Sequence, residues 1–418
     1  MSETQGNEEG FALPEGSLVA KLDNMVAIQD YAPESACIRL IGVSEADFES
    51  ASFNERRAEV FLVDVGIDDI SRTSAKLLRQ WRRAVLAAWN DRGADGANSD
   101  LGAPEKWVRI RYERSSTPTS SYGYCLFREQ TTPTYLQILD IEVFDSTQVV
   151  IPPPQVQALP LPLPPALASG PLLQAFHVGQ GMCSLIIRGD MGILMDCGAG
   201  TPIKRPAYTS GAITNELATT VANVAVLAAV ISHADSDHWR LLDWDAALAA
   251  QVQVIAIPSG IGMLAFTSPA LALQVVGIGD CSLPLGAGAH LDLLRTQPSV
   301  SDSNGCALVA HLYTDTVRAL LPGDYVYARF ATDGNPGIQG LLTQTFDAVV
   351  APHHGCKASA HNVPAASVPG RSQAFFSAGD HGGYRHPRFD ALHAHSAQDF
   401  RIINDRTARH VWSHVLLP

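Results

Sequence analysis

None of the seven cysteines in this 418-residue sequence (Cys37, Cys125, Cys183, Cys197, Cys281, Cys306 and Cys356) belongs to a C-x-x-C pair. An odd, scattered set excludes a zinc ribbon and argues against a disulfide scaffold, so reduced thiols in a cytoplasm are expected. No run of about 18 apolar residues occurs, and no membrane span is expected. The first ten residues are polar and acidic, without the basic and apolar regions of a secretory leader. Charge is scarce, at 17% of residues, and unbalanced, with a net −13. Residues 1–165 hold 15 basic against 24 acidic side chains, and the remainder 14 against 18. Neither half is a basic nucleic-acid-binding module, so any polyanion contact has to be local or metal-mediated. Apolar material is plentiful, at 46%. At this length it is enough for two packed domains.

The stretch that concentrates chemistry is His233-Ala234-Asp235-Ser236-Asp237-His238. Leu227-Ala228-Ala229-Val230-Ile231 leads into it and reads as a short buried strand. Four of the six residues can bind a cation. Gathering carboxylates and imidazoles at the end of a rigid strand costs desolvation and self-repulsion unless a cation compensates. The bland alternative is a solvated acidic turn with two incidental histidines.

This pattern resembles the metal-binding signature of the metallo-β-lactamase superfamily, with Asp235 where many members carry a second histidine. The Asp variant after Ser232 is similar to the metallohydrolase domain of the ComEC group. Further motifs follow in the order of that group. Ala175-Phe176-His177-Val178-Gly179-Gln180-Gly181 is similar to its D-V-G-Q-G opening, with His177 in place of the usual Asp. Asp196 ends an apolar strand, Gly192 to Gly198. Asp324 closes Arg318-Ala319-Leu320-Leu321-Pro322-Gly323-Asp324, His353-His354-Gly355 follows apolar Ala348 to Ala351, and His386 precedes Pro387. His290 is a weaker candidate for a third-motif ligand.

The resemblance implies an α/β fold class, an αββα metallo-β-lactamase sandwich over residues 171–418. It also implies two divalent ions, Zn or Mn. One would be held by His233, Asp235, Asp324 and either His353 or His354, the other by Asp237, His238, Asp324 and His386. Asp237, His353, His354 and Asp196 would carry catalysis, Asp196 by orienting the His233 loop and one of the paired histidines by moving a proton. The implied reaction is phosphodiester hydrolysis by metal-activated water, on a nucleic acid or nucleotide. A small-molecule phosphoesterase of the phosphorylcholine-esterase kind and a metal-poor scaffold are the alternatives.

Upstream of the sandwich, residues 1–16 read as a flexible tail and 149–170 as an extended Pro-rich linker, because proline lacks the amide donor and restricts its predecessor. Between them, 17–148 read as a small α+β domain. Its strands are centred on Cys37–Ile41, Val60–Val65, Trp107–Tyr112 and Thr134–Ile141, around one amphipathic helix from Ser74 to Asn90. Trp81 and Trp89 read as core anchors, and Arg79, Arg82 and Arg83 as a solvated face. No family resemblance attaches to this half. Substrate selection, dimerisation and docking to a protein partner all remain open for it.

Overall fold

The computed structural model describes residues 13–32, 35–89, 106–128, 132–161, 170–262, 268–286, 288–298 and 304–417. Most of the expected tail, the Pro162–Pro165 end of the linker and the side chain of Trp89 lie outside the described residues.

In the N-terminal half six strands close into a barrel, in the order β1-β2-β3-β5-β6-β4. They are β1 (Gly16–Ile28), β2 (Ala36–Ser44), β3 (Phe61–Gly66), β4 (Lys106–Ser115), β5 (Ser121–Cys125) and β6 (Thr134–Asp145). Alternate residues of each strand serve different cores, as a period of two requires. Ile38 and Leu40 pack with Leu18, Ala20, Val63 and Ile110, whereas Ile41 and Val43 pack with Val19, Leu62 and Trp107. The helix Ala75–Trp89 lays Leu77, Leu78, Trp81 and Val85 on the first of these clusters. Leu86, which interrupts the apolar stripe, is exposed.

Strand β1 is irregular. Its register against β2 runs Leu22 to Leu40, then Asn24 to Arg39, then Ala27 to Cys37. Asp23 is therefore an extra residue in the ladder, and Met25 and Val26 together stand opposite the single residue Ile38, a second extra residue. Such bulges bend a strand and re-aim its side chains.

The expected linker is partly built into the second half. After β7 (Gln155–Val156), Leu159 is buried and Leu161 packs beside it in the core between the two large sheets. The first sheet has the order β23-β8-β9-β10-β11-β12-β13-β7. Its members are β8 (Leu172–His177), β9 (Cys183–Arg188), β10 (Met191–Cys197), β11 (Val226–Val230), β12 (Val252–Pro258), β13 (Val275–Ile278) and the late strand β23 (Trp412–Leu417). The second has the order β14-β15-β16-β17-β19-β21-β22. It comprises β14 (Cys281–Gly286), β15 (Ala289–Arg295), β16 (Leu308–Tyr313), β17 (Arg318–Leu321), β19 (Ala348–Val350), β21 (Gln373–Phe376) and β22 (Arg401–Asn404). Two-residue strands β18 (Thr345–Phe346) and β20 (Ala365–Ala366) pair separately.

The run Leu227–Ile231 is apolar throughout because both faces of β11 are covered. Ala228 and Val230 enter the core between the sheets, together with Leu291, Leu293, Ala310 and Val350 of the second sheet. Leu227, Ala229 and Ile231 face outward onto Leu217, Leu241, Leu242 and Leu248 of a helical layer. On the far side Val349, Ala374 and Phe376 pack against the helices Tyr327–Phe330, Pro336–Leu341 and Phe389–Ala397. The layers thus run αββα, and the fold class is α/β.

The barrel is seated on the first helical layer. Apolar contact is continuous from Phe53, Trp107 and Tyr124 of the barrel to Trp239 and Trp244. The Phe127 N–H donates to Asp243 Oδ1 at 2.7 Å, and Arg56 Nη2 donates to the Ala272 carbonyl at 3.0 Å. Asp30 of the barrel, fully buried, pairs with Arg39 at 3.3 Å, Lys204 at 3.9 Å and, closest of all, Arg240. No helix among the described residues is long and apolar enough to cross a membrane.

Candidate metal centre

Most of the candidate ligands sit where a buried strand ends. Strand β10 delivers Asp196 in a left-handed conformation, φ 59°. Its carboxylate accepts from the Ser232 N–H at 2.7 Å, the Ser232 hydroxyl at 2.9 Å and His238 Nδ1–H at 2.8 Å. Strand β11 delivers His233, and a single 3₁₀ turn, Ser236–His238, brings Asp237 and His238 back beside it. Gly198 permits that turn, since a Cβ there would lie 1.6 Å from the Asp237 carbonyl oxygen. Strand β17 ends at Leu321, and Gly323, φ 58°, whose missing side chain leaves room for Ser232, turns the chain into Asp324. Strand β19 delivers His353 and His354, both left-handed at φ 46° and 53°. Each such non-glycine residue costs roughly 1–2 kcal/mol, a strain that surrounding structure has to hold in place.

These strand ends converge. His233 Nε2 lies 3.3 Å from Asp235 Oδ2 and 3.8 Å from Asp324 Oδ2, and His353 Nε2 approaches the same Asp324 oxygen at 3.7 Å. His238 Nε2 lies 3.1 Å from Asp324 Oδ1, and His354 Nε2 lies 3.2 Å from Asp237 Oδ2 and 3.8 Å from Asp324 Oδ1. Among the described residues two tight groups of potential ligands emerge: His233, His238 and Asp324, and Asp237, His238 and His354. Asp324 turns one oxygen to each side. His353 therefore stands with the His233 set. His354 stands with Asp237 and His238, in the set where the resemblance implied His386. His386 flanks the paired histidines, its ring 5.7 Å from His353 and 6.2 Å from His354, and belongs to neither tight group. His290 lies in mid-β15, stacked on Tyr313, away from the cluster. His177 packs among Phe375, Trp412 and His414.

The hydrogen bonds test whether a cation fits. His238 donates through Nδ1 to Asp196, and His354 donates through Nδ1 to the Ser377 carbonyl at 2.8 Å. Both rings thereby aim Nε2, as a lone pair in the neutral form, at carboxylate oxygens. The Nε2 atoms of His233, His238 and His354 and the Oδ1 atom of Asp324 are buried without a hydrogen-bond partner. Lone pairs facing carboxylates in a buried site repel unless a proton or a metal lies between them. The donor set of imidazole nitrogens and carboxylate oxygens suits a divalent metal.

The same logic governs protonation in the metal-free protein. Burial disfavours the His238 cation, but Asp196 and Asp324 overcome it and hold the ring's pKa well above the usual range. Burial likewise opposes ionisation of Asp237, and the His354 ring 3.2 Å away together with the charge of His238 overcomes it, driving the carboxyl far below normal. His386, buried beside His353 and His354, is held well below the usual imidazole range.

Gln180 of the opening motif and residues outside any motif complete the cleft. Gln180 lies behind His386, its amide 3.2 Å from Nδ1, and Asn304 lines the floor. Tyr384 stacks on the His386 ring at 5.6 Å. One wall comes from the barrel: Asp23, Asn24, Met25, Val26 and Ala84 face the cluster. The Tyr384 hydroxyl donates to Asn24 Oδ1 at 2.6 Å, and Ser236 is bound by Asp23. Burial pushes the Asp23 carboxyl up to about 7; the bond from Ser236 opposes the rise and Asp235 adds to it.

No family model matches the sequence, and no curated protein matches it. Among solved structures it is similar to the metallo-β-lactamase fold protein YhfI from Bacillus subtilis. That match has 13% identity and a TM-score of 0.35, covering 58% of this chain and all of the other. It is similar also to CmlA, a diiron β-hydroxylase from Streptomyces venezuelae, at 12% identity and a TM-score of 0.31, covering 60% of this chain and 55% of CmlA. The short form of human tRNase Z matches at 14% identity and a TM-score of 0.28, covering 43% of this chain and 77% of the other. At TM-scores this low, the chain's own geometry is what bears on function.

Proposed function

We propose that this chain is a metal-dependent hydrolase that cleaves phosphodiesters with water activated between two divalent cations. The observation that carries the reading is the set of buried, unpartnered Nε2 atoms of His233, His238 and His354 turned onto the carboxylates of Asp237 and Asp324. His233, Asp235, His353 and one oxygen of Asp324 would hold one cation. Asp237, His238, His354 and the other oxygen of Asp324 would hold the second, with His386 at its edge. Zn suits the imidazoles and Mn the carboxylates. When bound, the pair supplies Lewis-acid polarisation and a hydroxide at neutral pH.

The chain's own groups do the rest. Asp196 and Ser377 fix the tautomers of His238 and His354, keeping Nε2 available. His386, kept neutral by burial, would offer an oxygen of the substrate a hydrogen bond rather than a cationic charge. Asp23, Asp235, Asp237 and Asp324 make the cleft acidic, so a nucleic acid or nucleotide would be engaged through its phosphoryl oxygens at the cations rather than by a basic surface. The barrel wall narrows the approach, which supports a small phosphoester as the alternative substrate. All seven cysteines are free thiols, in keeping with action in a reducing cytoplasm.

Metal analysis combined with hydrolysis of bis(p-nitrophenyl) phosphate and of labelled single- and double-stranded DNA and RNA tests the proposal. Wild-type protein should carry metal, cleave at least one of these, and lose cleavage on chelation and in Asp237→Ala. Cleavage of the small ester alone would favour the phosphoesterase. Protein that neither binds Zn or Mn nor cleaves any of them would be a scaffold.

A further inference from the structure

The barrel does more than cover the cleft. Asp23 is the first extra residue of the β1 bulge, and its two carboxylate oxygens grip one residue of the metal loop. Oδ1 accepts from the Ser236 N–H at 3.1 Å and Oδ2 from the Ser236 hydroxyl at 2.6 Å. Ser236 is the residue between Asp235 and Asp237, one on each side of the candidate centre. A second contact reaches the other ligand loop. Asn24 accepts from Tyr384, the ring stacked on His386, and Gly383 is so close to Val26 that a Cβ would fall 2.6 Å from its Cγ1 atom. A regular strand would spend Asp23 on one face of the barrel ladder. The bulge frees it to cross to a residue 213 positions away.

Resting on the metal-centre reading above, we infer that Asp23 is a positioning residue and that tight metal binding draws on its contact from the barrel. By fixing the amide and hydroxyl of Ser236, Asp23 sets the directions of Asp235 and Asp237. The centre is therefore shared between the two halves of the chain. Carboxylates that orient ligand-bearing segments are typically worth roughly 10–100-fold in metal affinity.

The test uses the full chain. Zn and Mn affinities are measured by competition with a chromophoric chelator for wild type, Asp23→Ala, Asp23→Asn, Ser236→Ala and Arg56→Ala, with thermal midpoints recorded in parallel. Asp23→Ala should lose roughly 10–100-fold in affinity. Asp23→Asn keeps an acceptor for the Ser236 N–H and should recover part of that loss. Adding Ser236→Ala to Asp23→Ala should cost little more, because one interaction has already gone. Arg56→Ala removes a barrel contact remote from the loop and should lower the midpoint while leaving affinity unchanged. Asp23→Ala that stays folded and binds metal like wild type would overturn the inference. Wild type that binds no metal would instead overturn the reading on which it rests.

Discussion

Replacing Asp30 by Asn should destabilise the protein through a single uncompensated cation. Asp30 is the shared counter-charge of Arg39, Lys204 and Arg240, with 1% of its side chain exposed. The three cations would fare differently. Arg39 keeps two 2.7 Å bonds to Asp64. Burial has already pulled the Lys204 ammonium down to about 8, against the charge of Asp30, so it can shed its proton when that charge is gone. Arg240 cannot do so, because a guanidinium stays charged in any accessible pH range. It is 3% exposed and stacks over the Trp244 ring at 4.6 Å, a setting that offers bulk solvent little access to its charge. Breaking a buried pair in this way costs roughly 3–5 kcal/mol, a large part of the 5–15 kcal/mol that typically holds a fold together. Urea unfolding at pH 7 measures the loss. Asp30→Asn combined with Arg240→Met should regain most of it, since removing both charges also removes the unpaired one. A loss under about 1 kcal/mol for the single variant, or no recovery in the double, would refute the reasoning.

Asp196→Asn keeps the size and tolerates the left-handed backbone but leaves too few acceptors for Ser232 and His238. Chelator competition should show metal affinity lower by roughly 10–100-fold, and an unchanged affinity would show that His238 needs no orienting partner. Acid should weaken the protein through histidines remote from the centre. Burial holds His311 and His395 at about 4, below the unfolded value of about 6.5. The neutral forms are the folded ones, so their contribution is complete above about 6.5 and is lost as pH falls toward 4. Urea midpoints should drop between pH 6.5 and 4.5, and less steeply in His395→Gln; a slope that this variant leaves untouched would contradict the assignment.

Much of the cluster that converges in the structure was legible because most of its residues follow a strand apolar on both faces, a pattern visible without any partner. The gaps have particular causes. His353 and His354 are adjacent in sequence, and only their successive left-handed conformations, with Asp324 between the two sides, decide which stands with His233 and which faces Asp237. Asp23 stands in Lys21-Leu22-Asp23-Asn24-Met25, where an acid among alternating residues looks like ordinary strand exterior. Its partner is a serine more than two hundred residues later, and the bulge that frees it leaves no local mark. Gln180 stands in the opening motif but with no role legible in the residues around it, and Asn304 is a single polar residue beside a turn, indistinguishable from loop chemistry until the fold brings it into the cleft. The barrel's closure depends on β1 meeting β4, a pairing of distant segments for which no short-range signal exists.

Strand β7 also bears on how far the molecule can be dismantled. The connector's Gln155 and Val156 line up beside Gly277 and Ile278 as the outermost strand of the first sheet, and the Gly277 N–H donates to Pro154 at 2.9 Å. A recombinant fragment starting near Leu172 would strip that border, leaving β13 with bare amides and an oily notch where Leu159 and Leu161 had been. Such an edge invites other chains to pair with it. Cutting the polypeptide at the proline stretch would yield a sticky remnant rather than an independent enzyme cassette.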